Sequence, residues 1–505
     1  MSPIFGIETE YGITLAPGAE LDLHPMYLSN HLVRAYADEI AGGRMRWDYE
    51  TESPLRDLRG FDVDRSGASP DMLTDVEDGL ANVVLANGAR FYVDHAHPEY
   101  SGPEVTSALD AVRYDAAGDE ILLRAARAAS RRFGAQLRIW KNNTDGKGAS
   151  YGTHENYLLS RRTPFHRVVV QFTPFLASRP VITGAGRIGI GQHSERPGFQ
   201  LSQRADFFEA EVGLETTMNR PLINTRDEPH ADATLHRRLH VITGDANCSQ
   251  TATFLKIGTA ALVLRALEAG DLDGSLTLTD PVAAFRAISH DADLDAGALG
   301  ELVPLADGRA MSGLDLQEAY AEACRRHLER VDPGGADAEA YRVLEEWQAA
   351  IDGLRADPLA MADRLDWVAK WRLAESYRRR DGLGWDAPKL ALVDLQYADL
   401  DPARSLYRRL LDRGRMRRLV TDDAIAAAIT EPPDDTRAYF RGRCVAEYGR
   451  SVLAASWDSL IFEVPGRASL LRVPTTDPAR GTRRHVGELM DAADGLADLL
   501  ERLHL

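Results

Sequence analysis

The chain has 505 residues, 44 % of them hydrophobic, enough for a large buried core and more than one domain. Lysine and arginine total 59 against 77 acidic residues, a formal charge of −18 that argues against a general binder of nucleic acid or anionic membranes. Cys248, Cys324 and Cys444 stand far apart without C-x-x-C spacing, so neither a disulfide framework nor a thiolate zinc site is expected, and a reducing cytoplasm fits.

The opening MSPIFGIETE lacks a basic segment followed by an apolar one, and no run reaches the roughly eighteen apolar residues of a membrane span, so a soluble cytosolic protein is expected. The first strand-like run is IFGIETEYGITL, 4–15, in which Glu8 and Glu10 point to one face and Ile7 and Thr9 to the other. Like charges side by side are unfavourable. Either water screens them on an edge strand, or a hard cation such as Mg²⁺ turns the repulsion into attraction.

From Gly42 to Gly79 the sequence is rich in Asp, Glu, Arg, Gly, Ser and Pro with no sustained period, and it reads as a long, mobile insertion. The next strand, within ARFYVDHAHPEYSGPE at 89–104, sets Arg90, Tyr92 and Asp94 on one face before Pro98 ends it and Glu99 follows. If the two strands pair, several acids and a phenol oxygen meet in one place, and only cations could stabilise the cluster. That coincidence favours the metal reading of Glu8 and Glu10.

A helix is expected over 116–135, then strands at 136–143 and, in HRVVVQFTPFLAS, at 166–178. Between them DGKGASYGT is a glycine-rich loop without the Walker order, flanked by His154 and Glu155. GAGRIG at 184–189 fits G-x-G-x-x-G, but no helical pattern follows, so it is not a dinucleotide fingerprint. Arg204 and Arg226 carry forks suited to phosphate, though each taken singly reads first as a structural ion pair, and His240 alone reads as a core histidine. Helices follow at 252–270 and 313–331. TEPPDDTRA, 430–438, reads as a linker before a strand at 458–465 and a closing helix at 485–503. The organisation is mixed α/β or α+β, with a main domain over 1–430 and a small C-terminal domain over 431–505.

Together GIETEYGI, RFYVDHAHPEY, GTHENYL, IGQHSERPGFQLSQRADFFE, NTRDEPHAD and LHVITGDAN resemble the enzymes of the pupylation system, which attach or remove the bacterial tag Pup and are relatives of glutamine synthetase and carboxylate–amine ligases. The resemblance runs over nearly the whole chain. It implies a glutamine-synthetase-like curved antiparallel sheet cradling ATP and Mg²⁺, with a small C-terminal domain beside it. By position it implies Glu8, Tyr92 and Glu99 as magnesium ligands, with Glu155 a further one, and Asp94 as the catalytic carboxylate. Arg90 and Trp457 are implied as nucleotide contacts, and Glu10, Gly102, Arg204, Arg226 and His240 fall in matching motifs around the nucleotide.

The family has two branches. A ligase joins the C-terminal glutamate of Pup to a lysine; a deamidase converts the C-terminal glutamine to glutamate and also cleaves the tag from modified proteins. The 42–79 insertion resembles the deamidase branch, with the ligase as the alternative. The implied partners are Pup, an acidic tag, and pupylated proteins, with no nucleic acid and no membrane; the oligomeric state is left open, with a monomer compatible. Arginines 408, 409, 413, 415, 417 and 418 form a basic cluster that would suit the tag. The attacked atom is the side-chain amide carbon of the tag's last residue, and the nucleophile is either Asp94 or a phosphate derived from ATP.

Overall fold

The structure, a computed structural model, describes residues 3–19, 23–43, 45–50, 52–64, 80–294 and 299–504. The strands that position the site are, in chain order, β1 (Phe5–Glu10), β2 (Arg46–Trp47), β3 (Asn82–Val84), β4 (Arg90–Asp94), β5 (His97–Ser101), β6 (Thr153–Ser160) and β7 (His236–Val241). Near the C-terminus follow β8 (Val452–Ala455), β9 (Ser459–Phe462) and β10 (Leu471–Pro474). The central sheet has the order β7-β6-β1-β5-β4-β3 and is antiparallel throughout. The smaller sheet runs β10-β9-β8-β2.

One face of the central sheet is apolar. Ile7, Phe91, Tyr100, Tyr157, Leu159 and Leu239 are buried there beneath α1 (Pro25–Glu39), α2 (Ala108–Phe133) and α3 (Gln250–Ala269). Helix α2 begins eight residues before the expected 116, because Ser107 caps it by accepting from the Asp110 N–H, and it stops at Gly134 in the left-handed region. Ser249 and Gly270 bound α3 in the same way.

Three expectations are corrected. Residues 166–178 are not a strand; Phe165–Ser178 is a helix whose buried Val168, Phe172, Phe175 and Leu176 recur at helical spacing, so packing outweighs the local β preference of the valine run. The closing helix is two, Arg483–Asp491 and Leu496–Arg502, interrupted at Gly495 with φ 145°. The third concerns the insertion, whose residues 44, 51 and 65–79 lie outside the described residues. Its first part is built into the fold, since β2 pairs in parallel with β8, Arg46 facing Ala454 and Trp47 facing Ala455. Met45 and Trp47 enter a second hydrophobic cluster with Phe440, Phe462 and Leu499. A short hairpin, Arg56–Asp57 with Phe61–Asp62, follows, and its buried Asp57 accepts from the Thr225 hydroxyl at 2.6 Å. A polar segment needs few apolar residues when a neighbouring sheet offers it an edge.

Candidate active site

Pairing fixes which side chains share the polar face, because directly opposed residues project the same way. Glu8 lies opposite His154 on one side and Ser101 on the other, and Glu10 lies opposite Glu99. On the next strand Arg90 faces Ser101, Tyr92 faces Glu99 and Asp94 faces His97. At the other end Asn156 faces His240. The two carboxylate-bearing strands, separated by some eighty residues of chain, are therefore brought within one strand of each other.

Two donor groups form on this face. Glu10, Asp94 and Glu99 each offer an oxygen, and Glu8, His154 and His240 each offer one ligand atom; within each group the atoms lie within 4.8 Å of one another. Burial, then the charges of Asp94, Glu8 and Glu10, push the Glu99 carboxyl well above the usual carboxylate range. Burial also opposes ionisation of Asp94, but His95, its Nδ1 2.9 Å from Oδ1, together with His154 and Arg226, outweighs it and holds Asp94 below its ordinary value. The same contest holds Glu10 down through His97 at 3.3 Å, and Glu8 through His154 at 3.6 Å and Arg238. His240 is buried beside Arg238 and so is held well below the ordinary imidazole value, which leaves it neutral and able to ligate. His95 and His230 adopt left-handed backbones, φ 50° and 46°, a strain that side-chain-bearing residues carry most often at functional sites.

Glu8, Arg90, Tyr92, Asp94, Glu99, Arg226, His240 and Trp457 line one cavity of about 120 Å³. Gly102 lines an adjoining cavity of about 80 Å³ with Gly6, Pro229, His230, Arg437 and Trp457. Glu10 lies beside the first, and its Oε1 accepts from the Gly152 N–H at 2.6 Å. Two expected residues are placed elsewhere. Glu155 pairs with Ile7, so it projects to the apolar face, where it is fully buried and accepts from both Arg179 Nη atoms at 2.6 and 2.9 Å and from the Tyr157 hydroxyl. Arg204 lines neither cavity; it is buried, donates to the Ile242 carbonyl and to Ser150 Oγ, and burial beside Arg220 lowers its pKa to about 9.

The cavity also holds Arg238, His230, Tyr49 and Glu52, which the sequence did not mark, and His154, which it placed only beside the glycine-rich loop. For His154 the signal was present. In THENYLLS, Glu155 shares parity with Tyr157 and Leu159, and His154 with Asn156, so the polar face takes the histidine. For Tyr49 and Glu52 no local periodicity marks the role.

Residues 3–461 match the family described as Pup-ligase protein. The protein named Depupylase of Acidothermus cellulolyticus (strain ATCC 43068 / DSM 8971 / 11B) is 53 % identical over 100 % of this chain and 99 % of its own length. The Pup deamidase/depupylase of Mycobacterium tuberculosis (strain CDC 1551 / Oshkosh) is 51 % identical over 100 % of this chain and 99 % of its own. Four relatives named Pup–protein ligase are 36 to 42 % identical over 81 to 97 % of this chain. Among solved structures, the ligase PafA in complex with Pup superposes with a TM-score of 0.80 at 33 % identity, covering 100 % of this chain and 94 % of that one. PafA in complex with ADP gives 0.73 at 34 % identity over 86 % of this chain and 96 % of that one.

Proposed function

This chain belongs to the Pup-ligase family, and within it we propose that it is the hydrolase that deamidates the C-terminal glutamine of Pup and releases Pup from the lysines of tagged proteins. The observation that carries this branch is the whole-length similarity, 53 and 51 % to the depupylases against 36 to 42 % for the ligases. No helix among the described residues is long and apolar enough to cross a membrane, and the three cysteines are unpaired, in keeping with a cytoplasmic setting.

ATP is the nucleotide of the site in this reading, and Mg²⁺ its cation. The donor set fits a hard cation: three carboxylates crowd their oxygens together, and burial, then the charges of its neighbours, push the Glu99 carboxyl well above the usual carboxylate range. A divalent cation would relieve that repulsion and fasten phosphate oxygens to the sheet. Arg90, Arg226 and Arg238 line the same cavity and would take further phosphate oxygens, while Trp457 and Pro229 wall the smaller cavity that suits the base.

Asp94 stays ionised, so it can act as nucleophile. One of its oxygens adds to the side-chain amide carbon of the tag's last residue. The carbon–nitrogen bond then breaks, and ammonia, or the lysine amine, departs with a proton taken from solvent, which hydrolysis of the anhydride returns. Water next attacks the resulting anhydride, returning a carboxylate to the tag and regenerating Asp94. No ATP is consumed in this sequence. The test is to incubate the enzyme with ATP, Mg²⁺ and Pup ending in glutamine, and to follow ammonia and ADP together. Asp94→Asn should bind nucleotide but lose turnover about a thousandfold, and wild type should release far more ammonia than ADP. Near-normal deamidation by Asp94→Asn would move the nucleophile elsewhere, ATP-derived phosphate first. One ADP per event, with only glutamate-ended Pup joined to lysine, would make the protein a ligase.

A further inference from the structure

The guanidinium of Arg90 lies between two aromatic rings, its central carbon 3.9 Å from the centre of Trp47 and 3.8 Å from that of Tyr92. Two rings that close to one carbon cannot share a face, so they cover both faces of the planar group and leave its edge, where the N–H donors lie, to select partners. One edge is already set: Nε donates to Asn82 Oδ1 at 2.7 Å and Nη2 to the Tyr49 hydroxyl at 3.3 Å. Tyr92 and Asn82 belong to the central sheet, whereas Trp47 and Tyr49 belong to the segment after α1.

That segment is anchored on both sides of the cavity. On one side β2 pairs with β8, the Asp48 N–H donates to Ala455 O at 2.9 Å, and Trp47 meets Trp457 edge to face at 5.3 Å. On the other, the Ser53 N–H donates to Glu228 Oε1 at 2.6 Å, and the Leu58 N–H to Thr225 O at 2.7 Å, beside Arg226. Residues 45–50 and 52–58 thus form a strap between the C-terminal sheet, the rim of the cavity and the loop that carries Arg226.

We infer that Trp47 is a positioning residue for Arg90: its ring closes the open face of the guanidinium and holds the donor edge toward the nucleotide phosphates, so that the strap, and through it the C-terminal sheet, sets nucleotide affinity. This rests on the reading of Arg90 as a phosphate contact. A buried or half-buried cation–aromatic contact of this kind is worth enough to change an equilibrium about five- to thirtyfold.

The test is calorimetric titration of the full chain with ATP and Mg²⁺ for wild type, Trp47→Ala, Trp47→Phe, Arg90→Ala and the double variant Trp47→Ala/Arg90→Ala, with turnover measured alongside. Trp47→Ala should weaken ATP about five- to thirtyfold and raise its KM with kcat at saturating ATP retained. Trp47→Phe should recover most of the loss, and the double variant should bind no worse than Arg90→Ala. Leu316→Ala, in the main hydrophobic cluster and not in that of Trp47, controls for stability: it should lower the melting temperature and leave ATP affinity alone. If Trp47→Ala does not fold, Tyr49→Phe replaces it, and a weaker ATP affinity is again expected. Unchanged binding by Arg90→Ala would overturn the phosphate role of Arg90. A weakened Arg90→Ala with an unaffected Trp47→Ala, or losses that simply add in the double variant, would overturn the clamp alone.

Discussion

Glu104, next to the core residue Val105, is tied by charge to Arg437 and Arg441, which flank Tyr439 and Phe440 of the second hydrophobic cluster. Its carboxylate accepts from Arg437 Nε at 2.8 Å and from both Arg441 Nη atoms, and both arginines are almost fully buried. Burial works against the ionised form, yet the two guanidiniums win and lower its pKa to about 2 from an ordinary 4.5. A carboxyl with a depressed folded-state value stabilises the fold fully above its unfolded value and loses that contribution as pH falls toward the folded one. Stability should therefore decline between about 4.5 and about 2 with Glu104 a main contributor, and Glu104→Gln should cost on the order of 3 kcal/mol at neutral pH. Urea melts across that window check this; a variant whose stability parallels wild type at every pH would refute it. At this scale the sequence was legible wherever parity decided the matter. Glu8, Glu10, Tyr92 and Asp94 reach one face because strands alternate, and the same rule, applied to THENYLLS, sends Glu155 to Arg179 and His154 to the site.

Among the elements, the strap is the one that composition misrepresented. A stretch of acids, arginines and glycines carries no period, so nothing in it announces that Trp47 will fill a core supplied by residues some four hundred positions later. The valine run at 168–170 misled in the opposite sense, since local preference favoured a strand while the long-range packing of Phe172, Phe175 and Leu176 required a helix. Helices bounded by side-chain caps and glycines, α2 and α3, were readable because their stop signals are local. The structure changes what excision of the insertion should do. Replacing residues 45–58 by a short Gly/Ser linker removes the edge strand and empties the Trp47 site, which alone should cost roughly 3–5 kcal/mol, and ATP binding should weaken with it. Denaturant melts with nucleotide titration measure both; a variant that melts like wild type would show that the strap contributes no core.

For the molecule as a whole, the question is how a chain of charge −18 captures a tag that the resemblance implies is acidic. Long-range repulsion must be overcome by a local field, and a surface patch within about 10 Å of the incoming charges is what physiological salt leaves unscreened. The basic cluster at 405–419 is the segment richest in arginine, but its members are not equal. Arg408 pairs with Glu120, Arg417 with Glu346 and Arg418 with Asp422, and Arg409 donates to Ala403 O. Arg413 and Arg415 are exposed, so they carry the charge that can reach a partner. The cluster is tied to α2 through Glu120, on the helical side of the sheet, whereas Asp94 opens on the polar side. Docking and chemistry should then separate experimentally. Reversing Arg413 and Arg415 together to glutamate should weaken binding of the full-length tag severalfold at low salt and flatten its salt dependence. Turnover of a short peptide carrying only the tag's terminal residues should stay at the wild-type rate. Full-length affinity unchanged at low ionic strength would place the docking surface elsewhere on the chain, and a loss of peptide turnover would mean that the two arginines support the fold rather than the partner.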